Sequence, residues 1–177
     1  MKTFFLVLYL IPPLYLIYAI AVYFKTRVPY VGTSKKYVSA IVHYVPITNE
    51  MAVYDLGCGK GNFLFAAERY RPKSLIGYEL SPYLVLHAKA KAWIMRSNVR
   101  VHLQDMFSVD ITEADLIYLY LVPPVLNKLW KKIQKEGKRG ATILTLADQI
   151  DGLPAEQTIV LEPNNPKSRK VFVYRLH

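Results

Sequence analysis

The chain has 177 residues and a formal net charge of +10, since 23 Lys and Arg residues stand against 13 Asp and Glu residues. This length suits one domain after an apolar start, and no repeat or low-complexity tract indicates a repeat protein. The single cysteine, Cys58, excludes an internal disulfide and is typical of a reducing compartment.

An uncharged stretch, Phe4 to Phe24, opens the chain and ends at Lys25 and Arg27. As a helix it would span about 30 Å, the thickness of a bilayer core. We predict a lipid-contacting transmembrane anchor over residues 1–27 and one domain over residues 28–177. A hydrophobic arm for oligomer contact and a cleaved signal peptide are the alternatives. The positive-inside rule then predicts a single-pass membrane protein whose larger domain faces the cytoplasm.

Helix-like and strand-like stretches alternate through the rest of the chain. The predicted helices cover residues 34–45, 62–70, 82–96 and 124–136. The predicted strands cover residues 52–56, 74–79, 99–104, 115–121, 140–146, 157–162 and 170–176. This alternation predicts an α/β, Rossmann-like, seven-stranded and mostly parallel sheet. The last two strands have no helix between them, so they should form a hairpin with one antiparallel strand.

A glycine-rich loop follows the first predicted strand, reading D-L-G-C-G-K-G from Asp55 to Gly61. Glycines let the backbone turn sharply and approach a ligand closely, and the following helix start offers unpaired N–H groups. The third glycine comes one residue early for a dinucleotide fingerprint. We predict a nucleotide-like ligand without a diphosphate. The predicted contacts are Asp55, Gly57, Cys58, Gly59 and Gly61.

Two acids end the next two predicted strands. Glu79 ends one and can accept hydrogen bonds from ribose hydroxyls, while Asp105 ends the other and can accept one from an adenine amine. The backbone N–H of Met106 can donate to a ring nitrogen. Each acid taken singly also suits a helix or turn cap.

Ribose, adenine and an amino-acid head group together describe S-adenosyl-L-methionine. The chain resembles the class I, seven-strand methyltransferases in D-L-G-C-G-K-G, in G-Y-E-L (Gly77–Leu80) and in L-Q-D-M-F (Leu103–Phe107). The resemblance implies that fold, an S-adenosyl-L-methionine cofactor and methyl transfer. It also implies that Leu80 lines the cofactor site.

A closer resemblance covers most of the chain. An apolar segment, then P-Y-V-G-T-S (Pro29–Ser34), G-Y-E-L-S-P-Y-L-V (Gly77–Val85) and V-P-P (Val122–Pro124) resemble the membrane-anchored protein-lysine methyltransferases of the ATP synthase c subunit and the adenine nucleotide translocase. This implies a protein substrate with an accessible lysine, and it puts Tyr30 and Thr33 near the cofactor. The lysine in the glycine loop and the V-P-P-V sequence depart from that family and leave the substrate open.

The methyl acceptor is expected at the end of the fourth predicted strand. Enzymes that methylate base amines commonly show [DN]-P-P-[YF] there, and V-P-P-V lacks both the polar residue and the aromatic one. Tyr118 and Tyr120 share one face of this strand, which makes them candidate catalytic residues that cradle a substrate amine. The alternative is that they are core tyrosines under a helix. The histidines lack partners at metal-ligand spacing, so we predict no metal.

The predicted helix 124–136 separates an apolar stripe from lysines. The stripe is Val125, Leu126, Leu129, Trp130 and Ile133, and the lysines are Lys128, Lys131, Lys132 and Lys135. They suit a solvated face, an anionic membrane surface or nucleic acid. No aromatic residues interleave with them as RNA binding favours, so we do not expect a nucleic-acid partner.

The sequence therefore predicts a membrane-anchored, S-adenosyl-L-methionine-dependent methyltransferase that acts on a lysine of a membrane-associated protein. Two alternatives stay open: methylation of a lipid headgroup or quinone, and a catalytically silent module that keeps the fold for binding.

Overall fold

A computed structural model describes residues 9–10, 12–14, 16–18, 32–165 and 168–177. The chain divides into two compact units, Met1–Tyr30 and Val31–His177. The described residues of the first unit are helical and exposed. Most of the predicted N-terminal helix, and the predicted domain boundary between residues 27 and 28, lie outside the described residues.

Helix length bears on the predicted membrane localisation. Crossing a bilayer takes about 20 consecutive, mostly apolar helical residues. Within the described ranges no helix is both long and apolar enough to do so, and the two longest, Pro82–Met95 and Pro123–Glu136, have 14 residues each. The predicted localisation, a single-pass membrane protein with its catalytic domain facing the cytoplasm, is therefore wrong. The predicted lipid contact through residues 1–27 is not shown.

The second unit consists of helices alternating with strands. The helices are α1 (Lys35–Tyr44), α2 (Asn62–Ala67, continued by a 3₁₀ turn at Glu68–Tyr70), α3 (Pro82–Met95) and α4 (Pro123–Glu136). The strands are β1 (Ala52–Leu56), β2 (Ser74–Glu79), β3 (Arg100–Leu103), β4 (Leu116–Leu119), β5 (Thr142–Leu146), β6 (Gln157–Val160) and β7 (Lys170–Arg175).

The strands form one seven-stranded sheet in the order β3-β2-β1-β4-β5-β7-β6. Strands β1 to β5 pair in parallel, and β7 pairs antiparallel with both β5 and β6. The predicted Rossmann-like sheet with one antiparallel strand is therefore confirmed, as is the β6–β7 hairpin. The strand order reverses at β1, because β2 and β3 lie on one side of it and β4 and β5 lie on the other. The crevice beyond the carboxyl ends of β1 and β4 is thus the place where such a sheet binds ligands.

Local sequence sets where the helices begin. The Ser34 side chain accepts a hydrogen bond from the N–H of Tyr37 at 3.4 Å and so caps α1. Helices α3 and α4 both begin at a proline, whose fixed φ suits the first helical position and whose missing N–H costs nothing there. These starts agree with the predicted ones to within one residue.

The core lies on both faces of the sheet, because a parallel sheet is covered on both sides. Every residue of β1 and β4 is buried. Helices α1 and α2 cover one face with Ile41, Val42, Phe63 and Leu64 among other side chains. On α4 the buried positions are Val125, Leu126, Leu129 and Ile133. They confirm most of the predicted inward stripe, and the lysines of α4 lie outside it.

Candidate active site

The loop after β1 turns through three glycines in the left-handed region. The φ angle is 88° at Gly57, 53° at Gly59 and 72° at Gly61, where a side chain would be strained. The N–H groups of Gly57 and Cys58 donate to the Tyr78 carbonyl oxygen at 2.9 and 3.0 Å. The loop is therefore fastened to the end of β2 by its own backbone.

Glu79 joins the same loop through its carboxylate. Oε2 accepts a hydrogen bond from the N–H of Gly59 at 3.0 Å, and Oε1 accepts from the N–H groups of Leu80 and Ser81, both at 2.8 Å. A carboxylate offers about four acceptor positions. Glu79 therefore holds the loop and its own turn in place, and it keeps capacity to accept a further hydrogen bond.

Asp105 follows β3, where it fixes a turn. Its Oδ1 accepts a hydrogen bond from the N–H of Phe107 at 3.0 Å, as the turn-cap alternative expects. Its Oδ2 takes part in no hydrogen bond within the described part of the chain, and neither does the N–H of the buried Met106. One acceptor and one donor are therefore available side by side at this strand end.

Asp55 is a buried acid in the middle of the crevice. It lies in register with Gly77 of β2 on one side and Tyr118 of β4 on the other, and only 3% of it is exposed. Burial raises the pKa of this carboxyl well above its ordinary range, and the charge of Glu79 raises it further. The cost of ionising Asp55 falls once a cation lies beside it.

Cys58 packs between the loop and β2. The thiol is buried, and burial raises its pKa, so it is not a reactive thiolate. It occupies the space that a side chain on Gly77 would need. A Cβ added at Gly77 would lie 2.6 Å from Cys58 Sγ and 2.8 Å from Leu64 Cδ1. The missing side chain of Gly77 is what lets the loop lie against β2.

We expect Gly77→Ala to lower the free energy of unfolding by about 1–3 kcal/mol, the usual cost of overpacking, and to weaken ligand binding by displacing the loop. Chemical denaturation and calorimetry measure the two effects. Gly140→Ala is the control, because a Cβ there meets nothing within 4 Å although φ is 82°. It should cost stability through backbone strain but leave binding alone. Equal binding losses in both variants would contradict the packing argument.

Tyr118 is held on all sides. Its ring stacks on Phe63 with centroids 4.1 Å apart, its hydroxyl lies 3.2 Å from Thr33 Oγ1, and 2% of it is exposed. Burial raises the pKa of the phenol, so it stays protonated at neutral pH and cannot act as a base. Thr33 is tied to the start of α2 as well, since its carbonyl oxygen accepts from Asn62 Nδ2 at 3.1 Å.

Tyr120 lies just beyond β4 and is half-buried. The Arg169 guanidinium carbon is 5.1 Å from its ring centroid and 5.8 Å from that of Tyr37. The structure thus places Thr33, Tyr118 and Tyr120 on one side of the crevice. Tyr30 lies outside the described residues, and the assigned roles of all the candidate residues remain predictions.

Sequence reasoning missed Arg169, Tyr37, Asn62 and Phe63. Arg169 follows the predicted β6–β7 turn, where an arginine is unremarkable in sequence, and it reaches the crevice only because β7 inserts between β5 and β6. Asn62 and Phe63 were assigned to a helix with no role. The polar Asn62 at the start of that helix was the one sequence feature that could have indicated a contact with the crevice.

The proteins that resemble the chain include the following three relatives and one solved structure. It is 29% identical over 158 residues to a protein-lysine N-methyltransferase of Saccharolobus islandicus, covering 84% of this chain and 93% of that one. It is 32% identical over 123 residues to the adenine nucleotide translocase lysine N-methyltransferase of Mus musculus, covering 68% and 53%. It is 25% identical over 136 residues to the Homo sapiens lysine N-methyltransferase of the ATP synthase c subunit, covering 72% and 58%. The chain thus spans little more than half of the two mammalian relatives.

The solved structure is an RNA methyltransferase from Salinibacter ruber in complex with S-adenosyl-L-homocysteine. It has a TM-score of 0.74 and 26% identity, and the match covers 82% of this chain and 94% of that one. The resemblance to class I methyltransferases and to the two lysine methyltransferase groups is thereby confirmed. So is the prediction of an S-adenosyl-L-methionine-dependent enzyme. The model of the ANTKMT methyltransferase domain matches residues 55–157, more than half of the chain, and the chain therefore belongs to that family.

Proposed function

We propose that this chain transfers a methyl group from S-adenosyl-L-methionine to the side-chain amine of a lysine in a protein substrate. The observation that carries the proposal is the family match from residue 55 to residue 157. That span contains the glycine loop, Glu79, Asp105 and the strand end with Tyr118 and Tyr120.

The residues of the crevice suit this cofactor. The remaining acceptor capacity of Glu79 suits ribose hydroxyls, and Asp105 Oδ2 with the Met106 N–H suits the adenine edge. Asp55 suits the ammonium of the methionine part, since its buried carboxyl has no hydrogen-bond donor among the described residues. When bound, the cofactor supplies an electrophilic methyl group on a sulfonium. Gly57, Cys58 and Gly61 hold the backbone in the shape that admits it.

The acceptor class rests on the relatives. Those of Saccharolobus islandicus, mouse and human are all named lysine N-methyltransferases, and the first matches nearly its whole length. The acceptor amine would enter beside Tyr120, beyond the carboxyl end of β4. The Tyr118 hydroxyl is hydrogen-bonded to Thr33. Tyr118 would therefore act on the amine only indirectly, by shaping the wall of the crevice.

The test is incubation of the purified chain with methyl-labelled S-adenosyl-L-methionine and separate protein, lipid and RNA fractions. The protein fraction is divided into membrane-associated and remaining proteins, because the sequence predicts a membrane-associated substrate. We expect label in protein, recovered after acid hydrolysis as ε-N-methyllysine. Label in the lipid fraction alone would support the headgroup or quinone alternative. Calorimetric binding of S-adenosyl-L-methionine with no labelling of any fraction would support the silent module.

RNA methylation is a second candidate function. The Salinibacter ruber structure, which matches most of the chain at 26% identity, is named an RNA methyltransferase, and the net charge of +10 suits a polyanion. The V-P-P-V sequence after β4 stands against base-amine methylation. Label that RNase removes and protease does not would establish RNA as the acceptor and exclude lysine.

A further inference from the structure

Arg169 is a cation held at the crevice by two aromatic rings. Its guanidinium carbon lies 5.1 Å from the Tyr120 centroid and 5.8 Å from the Tyr37 centroid, within the range of a cation–π contact. The Tyr37 hydroxyl donates to Glu162 Oε2 at 3.0 Å, which fixes the first ring. The N–H of Leu161 donates to the Arg169 carbonyl oxygen at 3.1 Å. The guanidinium is thus positioned from α1, from β4 and from the β6–β7 hairpin.

No carboxylate neutralises this cation within the described part of the chain. The ion pairs there join Lys36 to Glu162, Lys132 to Glu136, Lys138 to Asp115 and His177 to Glu156. Glu162, the acid that accepts from the Tyr37 hydroxyl, is also paired with Lys36. A half-buried arginine without an acid leaves a net positive field in front of it.

Tyr120, whose ring contacts Arg169, lies where the methyl acceptor is proposed to react. Tyr120 follows β4 at the switch point of the sheet, and Tyr118 lies two residues earlier, in register with Asp55. The charges of Arg169 and Asp55 both act on the Tyr118 phenol, so both groups lie near it. Among the described residues, contacts and charges connect Arg169 to Tyr37 from α1, to Tyr120 just beyond β4 and to Tyr118 from β4. Lys36 and Glu162 lie next to Tyr37, and the charge of Asp55 acts on Tyr118.

Lysine methylation needs an unprotonated amine, and the described residues of the crevice offer no evident base. Tyr118 stays protonated, Asp55 is buried within β1, and Glu162 is committed to its ion pair. An adjacent cation offers another route, since a like charge disfavours the protonated amine. We propose that Arg169 is the fixed positive charge that drives the acceptor lysine to its neutral, nucleophilic form. This inference rests on the proposed lysine methylation.

The atoms balance without a protein base. The bound ammonium releases its proton to water, and the nitrogen lone pair then forms a bond to the methyl carbon. The carbon–sulfur bond breaks with its electron pair going to sulfur, which leaves a neutral thioether and a methylated ammonium. Arg169 acts before the methyl transfer, on the proton equilibrium of the bound amine.

The first test is the pH dependence of turnover in Arg169→Gln with poly-L-lysine as the acceptor. The kcat profile reports the bound state and the kcat/KM profile the free reactants. We expect the kcat profile to shift upward by about one pH unit. Below that pKa both kcat and KM should fall about tenfold, while kcat/KM changes little. Arg169→Lys should restore the profile, because it keeps the charge.

The control variant is Arg175→Gln, at the other end of the same strand. It removes the same charge from an exposed residue that pairs with Thr142. Thr142 begins β5, so Arg175 lies at the end of the sheet opposite to the crevice. It should leave the kcat profile unchanged. A profile that shifts equally in both variants would show a general charge effect and overturn the assignment to Arg169.

A second test needs no acceptor. A cation facing the sulfonium disfavours S-adenosyl-L-methionine relative to the neutral S-adenosyl-L-homocysteine, so Arg169→Gln should favour the first over the second by about three- to tenfold in calorimetry. Equal weakening of both ligands would show instead that Arg169 binds their shared carboxylate, and a raised KM at every pH would show that it binds an acid of the substrate. Either result overturns the inference. If the wild-type chain does not methylate lysine, the proposed function is wrong. The ratio of the two ligand affinities still tests the role of Arg169 in that case.

Discussion

Glu79→Ala is expected to weaken S-adenosyl-L-methionine binding by about 1–3 kcal/mol, the usual cost of losing a charged hydrogen-bond partner. The variant loses the carboxylate predicted to accept from the ribose hydroxyls. It also removes the carboxylate that accepts from the N–H groups of Gly59, Leu80 and Ser81. The glycine loop should therefore be less ordered, and the free energy of unfolding should fall by a similar amount. Calorimetry and denaturant titration of the same preparation measure both.

The two roles of Glu79 separate with a matched control. Glu68 likewise accepts from a backbone N–H, that of Asn98 at 2.6 Å, and from the Ser97 hydroxyl at 2.7 Å, but it follows α2 away from the loop. Glu68→Ala should lower stability and leave cofactor affinity unchanged. Glu79→Gln keeps an acceptor oxygen and should lie between wild type and Glu79→Ala. If Glu79→Ala binds the cofactor like wild type, Glu79 is not the ribose ligand.

The cofactor half of the crevice could be predicted from the sequence because its geometry is local. Three glycines in seven residues allow the backbone positive φ angles at little cost, and the structure has them at all three. An acid that ends a parallel strand must lie at the carboxyl edge of the sheet, next to the ends of its neighbours. Glu79 and Asp105 met that condition from strand patterns alone. The alternation of helices and strands predicted a mostly parallel sheet, whereas the order of its strands came from the structure.

The acceptor half could not be predicted because it is assembled from distant segments. Tyr118 and Tyr120 were identified as sharing a face, but the sequence could not tell a buried tyrosine from one lining the crevice, and the structure makes Tyr118 the former. Arg169 reaches Tyr120 only through the insertion of β7 between β5 and β6. That pairing is long-range, and no short pattern encodes it.

The localisation prediction failed for a different reason. It rested on the apolar composition of Phe4 to Phe24, and apolar residues suit a bilayer, a protein core and a contact surface alike. Composition over a window reports affinity for an apolar environment without naming that environment. The assignment of the glycine loop to a cofactor site had two further features in its support, namely Glu79 and Asp105. The membrane assignment was supported only by the charges that flank the apolar stretch.

Asp55→Asn is expected to weaken S-adenosyl-L-methionine binding by about 1.5–3 kcal/mol while making the ligand-free protein more stable at neutral pH. The carboxyl is buried, and its pKa is raised first by burial and then by Glu79. Ionised Asp55 is thus unfavourable until the ammonium of the cofactor lies near it. An amide of the same shape avoids the cost of the buried charge and offers the ammonium a neutral acceptor oxygen in place of a carboxylate.

The sign of the pH effect follows from the raised pKa. The unfolded carboxyl titrates near 3.8 and the folded one at higher pH, so between these values the folded chain binds more protons. Stability therefore falls as pH rises through this window. Asp55→Asn lacks that loss, so its advantage should be full above the folded pKa and should vanish as pH falls toward 4. Asp110→Asn should do the opposite at neutral pH, since hydrogen bonds from Thr112 lower the pKa of that exposed acid.

The pH dependence of cofactor binding should also report the ionisation of Asp55. A cationic ammonium stabilises the carboxylate, so binding below the folded pKa of Asp55 should release a proton, and the affinity of the wild type should rise with pH. Calorimetry in two buffers of different ionisation enthalpy measures that release directly, and Asp55→Asn should abolish it. A variant that loses stability at every pH would mean that the Asp55 carboxylate holds the loop in place. A variant that keeps both full affinity and the proton release would mean that the ammonium lies elsewhere.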